Sequence, residues 1–252
     1  MHNDLFSIGP FTIHGYGLMI FLGVISACFI AVKRARKLGL NSEILDSLIV
    51  WILVGGIAGA KILFWLTQLE AILNNPKLML DFNNGFVVYG GIMGGVVCGF
   101  LFCRLKKLDF LTYFDLLMPS VALAQGFGRI GCFLAGCCYG IESNHALSVV
   151  FPAGSFAPSG IHLAPIQLIA SALNFLLFAI LIFCSHRKKQ KGQVAALYLI
   201  LNSIGRFILE YFRGDLDRGK VGFLSTSQFI AIFIFFVGFL FLYILNQKKK
   251  DK

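Results

Sequence analysis

Long uninterrupted apolar runs, separated by short polar and basic connections, fill most of the 252-residue chain. A helical crossing of a bilayer needs about 20 consecutive apolar residues. Seven runs meet that length, at roughly 14–32, 48–69, 87–104, 114–136, 166–185, 194–212 and 226–245. The runs are continuously apolar, whereas a lipid-facing strand alternates apolar and polar positions over about ten residues. The pattern predicts an all-α, polytopic membrane protein with about seven transmembrane helices. It leaves no room for a separate soluble domain and contains no repeat, so residues 1–252 read as a single integral membrane domain.

The connections set the orientation. Those after spans one, three, five and seven hold fifteen Lys and Arg residues, and the opposite set holds four. Basic loops stay on the cytoplasmic side, so the N-terminus is expected outside and the C-terminus in the cytoplasm. The opening "MHNDLFSIGPF" has no basic segment ahead of an apolar core, so the first span is expected to stay rather than be cleaved as a signal peptide.

Composition agrees. Hydrophobic residues make up 58% of the chain and charged residues 13%, against about 25% charged in a soluble domain. The net charge of +10 sits in clusters between the apolar runs, as topology signals and headgroup contacts do. No nucleic-acid partner is expected.

Three cations fall inside the spans: Lys61, Arg129 and Arg206. An intramembrane charge costs ~2.5 kcal/mol or more and marks a functional site or a structural pair. With the predicted orientation, Arg129 and Arg206 lie in the outer parts of spans four and six, and Lys61 near the middle or outer part of span two. Asn202, Arg206, Glu210 and Arg213 are spaced along one stripe of span six, where Glu210 is placed to neutralise Arg206. That leaves Arg129 and Lys61 without a carboxylate, because Asp115 lies at the far end of span four. A phosphate-bearing ligand meets the demand, since guanidinium groups match phosphate in a fork geometry. Span one opens with "IHGYGLM", carrying His14 and Tyr16, and span three with "VVYGGIMGG", carrying Tyr89. The small-xxx-small spacings of spans two and three predict close helix packing.

Of seven cysteines, only Cys132, Cys137 and Cys138 cluster in sequence. They leave open thiol–disulfide chemistry, metal binding, or small residues filling a crowded helix exit. There is no C-x-x-C, and no histidine completes a set at usual zinc spacing.

The stretch "GRIGCFLAGCCYG" resembles the signature of the prolipoprotein diacylglyceryl transferases, which most often begins Gly-Arg-x-Gly-Asn-Phe. "HGYGLM", "GGIAGAKI", "YGGIMGG", "APIQL" and "RFILEYFR" agree in order and position, so the resemblance covers nearly the whole chain. It implies transfer of a diacylglyceryl group from phosphatidylglycerol, a membrane lipid, to the lipobox cysteine of a prolipoprotein signal peptide, forming a thioether and releasing glycerol phosphate. It implies catalytic roles for Arg129, Arg206, Tyr89 and Glu210. Tyr16, Lys61, His14, Cys132, Cys137, Gly140 and Asn202 are implied in substrate binding. No metal or soluble cofactor is implied. The expected location is the bacterial plasma (inner) membrane, with the site toward the outer leaflet. The chain departs from the family pattern at Tyr89, where a histidine is usual, at Cys132 (asparagine), at Cys137 (glutamate) and at Lys61 (arginine). A same-fold paralogue with a changed lipid or acceptor is the main alternative, and a membrane thiol–disulfide oxidoreductase a lesser one.

Overall fold

In the computed structural model, residues 4–8, 11–80, 85–215 and 219–250 are described. Strands β1 (Asp4–Ile8) and β2 (Phe11–His14) pair antiparallel and lead into α1 (Gly15–Lys37). Then follow α2 (Ser42–Thr67), the short α3 (Leu69–Asn74), a 3-10 turn (Pro76–Leu80), α4 (Val88–Leu105) and α5 (Phe110–Ala135). Two-residue strands β3 (Val149–Val150) and β4 (His162–Leu163) precede α6 (Ile166–Arg187) and α7 (Gln193–Glu210). Strands β5 (Lys220–Val221) and β6 (Leu224–Ser225) precede α8 (Thr226–Lys250). Among the described residues, all the helices except α3 and the 3-10 turn are long and apolar enough to cross a membrane, seven in all.

The helices overshoot the apolar runs where polar residues cap them. Asn41 begins α2 six residues ahead of its apolar run, its Oδ1 accepting from the backbone N–H groups of Glu43 (2.8 Å) and Ile44 (3.3 Å). Arg34, Arg36 and Lys37 close α1, where the carbonyl end of the helix dipole favours cations.

The chain divides into two compact units, residues 32–113 and residues 1–31 with 114–252. In the first, α2 and α4 pack through small residues. A methyl group at Gly59 would meet the Gly90 carbonyl and the Gly94 backbone, and one at Gly94 would meet the Gly55 carbonyl. Backbone-to-backbone approach of this kind lets van der Waals contact hold two helices where lipid offers no hydrophobic drive.

In the second unit, Met118 and Ala122 of α5 pack with Leu177 and Leu181 of α6 and with Val194, Ala195 and Tyr198 of α7. The Ser171 hydroxyl donates to the Gly126 carbonyl at 2.8 Å. Asp115, fully buried, organises the far end of this bundle. It accepts from the Lys188 ammonium (3.0 Å) and from the backbone N–H groups of Gly192 (2.9 Å) and Ala195 (2.9 Å). Its carboxylate thus caps the start of α7 and satisfies donors that no carbonyl of that helix reaches. This is the work of a residue whose position in the sequence set it apart from the other charges.

Removing that carboxylate leaves a half-buried ammonium and two amides without their acceptor. Asp115→Ala is expected to destabilise the protein by about 1–3 kcal/mol, and Asp115→Asn by less, because one acceptor remains. Thermal melting in detergent checks the order, and equal melting temperatures for the two variants would contradict it.

Candidate functional site

The helix α5 ends in a turn that converts sequence spacing into a cluster. Gly136 sits at φ +77°, and its N–H donates to the Phe133 carbonyl at 3.2 Å. The next N–H, that of Cys137, reaches back to the Cys132 carbonyl at 3.1 Å. This pair of bonds around a left-handed glycine is the Schellman ending, in which the residue after the glycine touches the side chain five positions earlier. Here those two residues are Cys137 and Cys132. Cys138 follows at φ +59°, a left-handed conformation that costs a non-glycine residue about 1–2 kcal/mol. Gln167, buried at the start of α6, donates from Nε2 to the Cys137 carbonyl at 3.0 Å and fixes the turn from the other side.

As a result, the sulfur atoms of Cys132, Cys137 and Cys138 all lie within 4.8 Å of one another. Cys132 and Cys137 both hydrogen-bond to the Cys138 sulfur. These bonds, with the positive charges of Arg213 and Arg129, hold the Cys138 thiol below the ordinary range. Hydrogen bonding with Cys132 and Cys138 pushes the Cys137 thiol up, and burial adds to the rise.

Arg129 lies in α5 one turn before Cys132, half-buried. Among the described residues no carboxylate lies at ion-pair distance from it, and no acceptor takes a hydrogen bond from its guanidinium. Tyr16 at the start of α1 shares electrostatic surroundings with Arg129 and all three thiols. Its ring packs where a Cβ on Gly131 would stand 3.2 Å from it.

The stripe on α7 continues the positive field. The Glu210 carboxylate faces Arg206 at 3.6 Å and Arg213 at 3.8 Å, and its Oε2 is buried without a hydrogen bond. Arg206 also donates to the Ser227 hydroxyl of α8 at 3.1 Å. Arg213 forks onto Asp215, Nε to Oδ1 at 3.0 Å and Nη2 to Oδ2 at 2.8 Å. Burial works against the Arg213 charge, but Asp215, Cys138 and Glu210 carry its pKa above the usual value. Arg213 reaches this place because residues 139–141 and 212–214 pair. Ile141 N–H donates to the Phe212 carbonyl and Gly214 N–H to the Tyr139 carbonyl, both at 3.0 Å. Gly140 sits at that crossing, where any Cβ would strike the Ala164 carbonyl.

Segment 137–165 folds back as a cap with its own small core. Phe151, Ala157 and Leu163 are buried there, and Phe133 of α5, Tyr139 and Ile161 pack against them. The Phe151 ring meets that of Phe133 edge-on, 5.8 Å between centroids.

The structure thus brings together Tyr16, Arg129, Cys132, Cys137, Gly140, Arg206 and Glu210 within one unit. Asn202 is half-buried one turn before Arg206, and His14 ends β2 with an exposed side chain. Lys61 and Tyr89 belong to the other unit. Lys61 is buried in α2 with its ammonium over the rings of Phe64 (5.0 Å) and Phe86 (5.1 Å). Tyr89 is half-buried in the first turn of α4. Sequence reasoning did not single out Asp215, Ser227 or Gln167. The signal available for Gln167 was an uncharged polar side chain opening an apolar run, inside the quoted "APIQL".

Known proteins match this chain over nearly its whole length. The family described as prolipoprotein diacylglyceryl transferase matches residues 3–244. A phosphatidylglycerol–prolipoprotein diacylglyceryl transferase of Clostridium tetani is 44% identical, covering 98% of both chains. A protein of Clostridium perfringens with the same name, numbered 2, is 45% identical over 95% of this chain and 93% of its own. A Gloeobacter violaceus protein of that name is 32% identical over 96% and 91%.

The turn at Gly136 can be tested separately from chemistry. A methyl group there would adopt an unfavourable φ and stand 2.8 Å from the Ser155 Cβ, whereas Gly154, at φ +90°, has open space around it. Gly136→Ala is expected to cost about 1–2 kcal/mol and Gly154→Ala less. Equal melting points in detergent would show that the Ser155 contact contributes nothing.

Proposed function

The chain belongs to the prolipoprotein diacylglyceryl transferase family, and from that premise we propose that it transfers the diacylglyceryl group of phosphatidylglycerol to the lipobox cysteine of a prolipoprotein. It is a multi-pass membrane transferase of lipoprotein biosynthesis. The observation that carries the assignment of the site is the Arg129 guanidinium, half-buried in a span and without a carboxylate among the described residues. Such a charge is stable in an apolar helix when a ligand anion meets it.

In this reading the headgroup phosphate of the lipid sits against Arg129. Glu210 orients Arg206, which adds the second positive charge. As the acceptor sulfur attacks the glycerol carbon bearing the phosphoester, the carbon–oxygen bond breaks and its electron pair leaves on the phosphate oxygen. A guanidinium already in place stabilises that charge without reorganisation, and does so more in a water-poor site than it would in water. Tyr16 holds the headgroup, with His14, Asn202 and Gly140 around the lipid. The apolar groove of about 360 Å³ between α7 and α8, lined by Ile204, Phe207, Ile208, Ile232, Phe235 and Phe236, suits an acyl chain. Tyr89 and Lys61 take the roles that the family resemblance gives them, and residues 1–252 act as one membrane domain.

Orientation completes the proposal. The basic connections place the N-terminus outside and the C-terminus in the cytoplasm, so the end of α5 faces the outer leaflet of the bacterial plasma membrane. A precursor cysteine leaving the secretion machinery meets lipid at that depth. Neither a changed-substrate paralogue nor a thiol–disulfide oxidoreductase gains support from the matches.

Purified protein, phosphatidylglycerol and a lipobox peptide test the assignment, with mass spectrometry of the peptide as readout. The peptide cysteine is expected to gain a diacylglyceryl mass, and Arg129→Ala to slow the gain about 100-fold or more. A variant within a few-fold of wild type would remove Arg129 from the mechanism.

A further inference from the structure

The resemblance leaves the reaction without an evident means of making the acceptor sulfur nucleophilic. Tyr89 stands at the usual histidine, and Cys137 at the usual glutamate. Beside Cys132 the chain has two further thiols, Cys137 and Cys138, and the geometry points to their purpose. We propose that Cys132, Cys137 and Cys138 form a three-thiolate site for a Zn²⁺ ion, whose fourth position takes the cysteine of the prolipoprotein. The metal half of this proposal stands alone, and the acceptor half rests on the diacylglyceryl-transfer reading.

Geometry comes first. Tetrahedral zinc with Zn–S bonds of about 2.3 Å needs sulfurs about 3.8 Å apart, and the three sulfurs already lie within 4.8 Å of one another. Two independent features hold them there. The Schellman turn at Gly136 lays Cys137 over Cys132, with Gln167 anchoring the Cys137 carbonyl. The left-handed backbone at Cys138 then turns its side chain back into the cluster, a conformation that strains a cysteine. Three protein ligands and an open position describe a catalytic zinc site, while structural zinc sites close all four.

Charge comes second. Zinc with three thiolates carries a net negative charge, and both Arg129 and Arg213 lie within electrostatic reach of the thiols. Their cationic field offsets the cost of holding three thiolates at a membrane helix end. The cluster also explains why an oily, half-buried turn carries three soft ligands where the family usually has one amide and one carboxylate.

The chemistry then balances without a dedicated base. On coordination the acceptor thiol releases its proton to water, since a metal-bound thiol is held as thiolate. Its sulfur forms a bond to the glycerol carbon, the carbon–oxygen bond to phosphate breaks, and the electron pair departs with glycerol phosphate. Nothing is oxidised or reduced, in keeping with a metal that has no redox chemistry.

Cobalt(II) reports such a site by colour. Full-length protein, reduced and stripped of metal by chelator in detergent, is titrated with Co²⁺. The expected result is one equivalent bound, with a thiolate-to-cobalt charge-transfer band that Zn²⁺ abolishes. A lipobox peptide shifts the visible bands, and the same peptide with serine for cysteine does not. The band is lost in the Cys132→Ser/Cys137→Ser double variant and kept in Cys184→Ser. Circular dichroism verifies folding, and Cys138→Ser serves in place of the double variant if that one does not fold. Absence of the band, its survival in the serine variants, or no response to the cysteine peptide would each overturn the proposal. So would a disulfide between two of the three residues in protein isolated without reductant. None of these readings uses turnover, so a protein that gives no band on Co²⁺ titration yet lipidates peptide in a separate assay would sink the zinc site and leave the transferase reading standing.

Discussion

A guanidinium inside an apolar helix has to be met by something, and the way α5 meets it governs the rest of the site. On α7 and beyond, the positive charges are answered from within the chain. Glu210 is shared between Arg206 and Arg213 at 3.6 and 3.8 Å, and Asp215 takes the fork of Arg213. The shared carboxylate lies between two cations at ion-pair distance and hydrogen-bonds to neither, and no ion pair joins it to Arg129 among the described residues. Arg129 is left as the charge that the described residues do not neutralise. Leaving it so costs several kcal/mol by ordinary intramembrane estimates, which a protein tolerates where an anion arrives from outside.

The same helix end shows how backbone rules build chemistry. A helix that stops at a glycine in left-handed conformation reverses direction over its own last turn, and side chains five residues apart then meet. With cysteines at both positions, a stopping signal becomes a cluster of sulfur atoms. The strand-like pairing of residues 139–141 with 212–214 brings Arg213 to it, and the Phe151 core folds the cap segment back against the end of α5. Each link is local, and together they join residues from three helices.

Much of this was legible in the sequence, for identifiable reasons. The seven spans follow from apolar length alone, and their ends shift where caps such as Asn41 carry a helix into polar residues or where a helix stops short of its apolar run, as α2 does at Thr67 and α7 at Glu210. The Arg206–Glu210 pair follows from helical spacing. Asp115 was harder, because its distance from the other charges says nothing about its partners, the N–H groups of α7 and Lys188. Asp215 and Ser227 escaped because their contacts depend on how the chain turns after α7, which no periodicity encodes. The three cysteines were visible as neighbours, but their convergence required the φ of Gly136 and of Cys138, neither of which a composition or a motif reports.

The central claim is that Arg129 is the anchor for an anionic lipid. Native mass spectrometry of the purified protein, offered equal amounts of phosphatidylglycerol and a zwitterionic phosphatidylcholine, measures that directly. The account predicts that wild-type protein retains phosphatidylglycerol preferentially and that Arg129→Gln loses the preference while remaining folded. An unchanged preference in the variant would place the lipid's phosphate elsewhere and contradict the account.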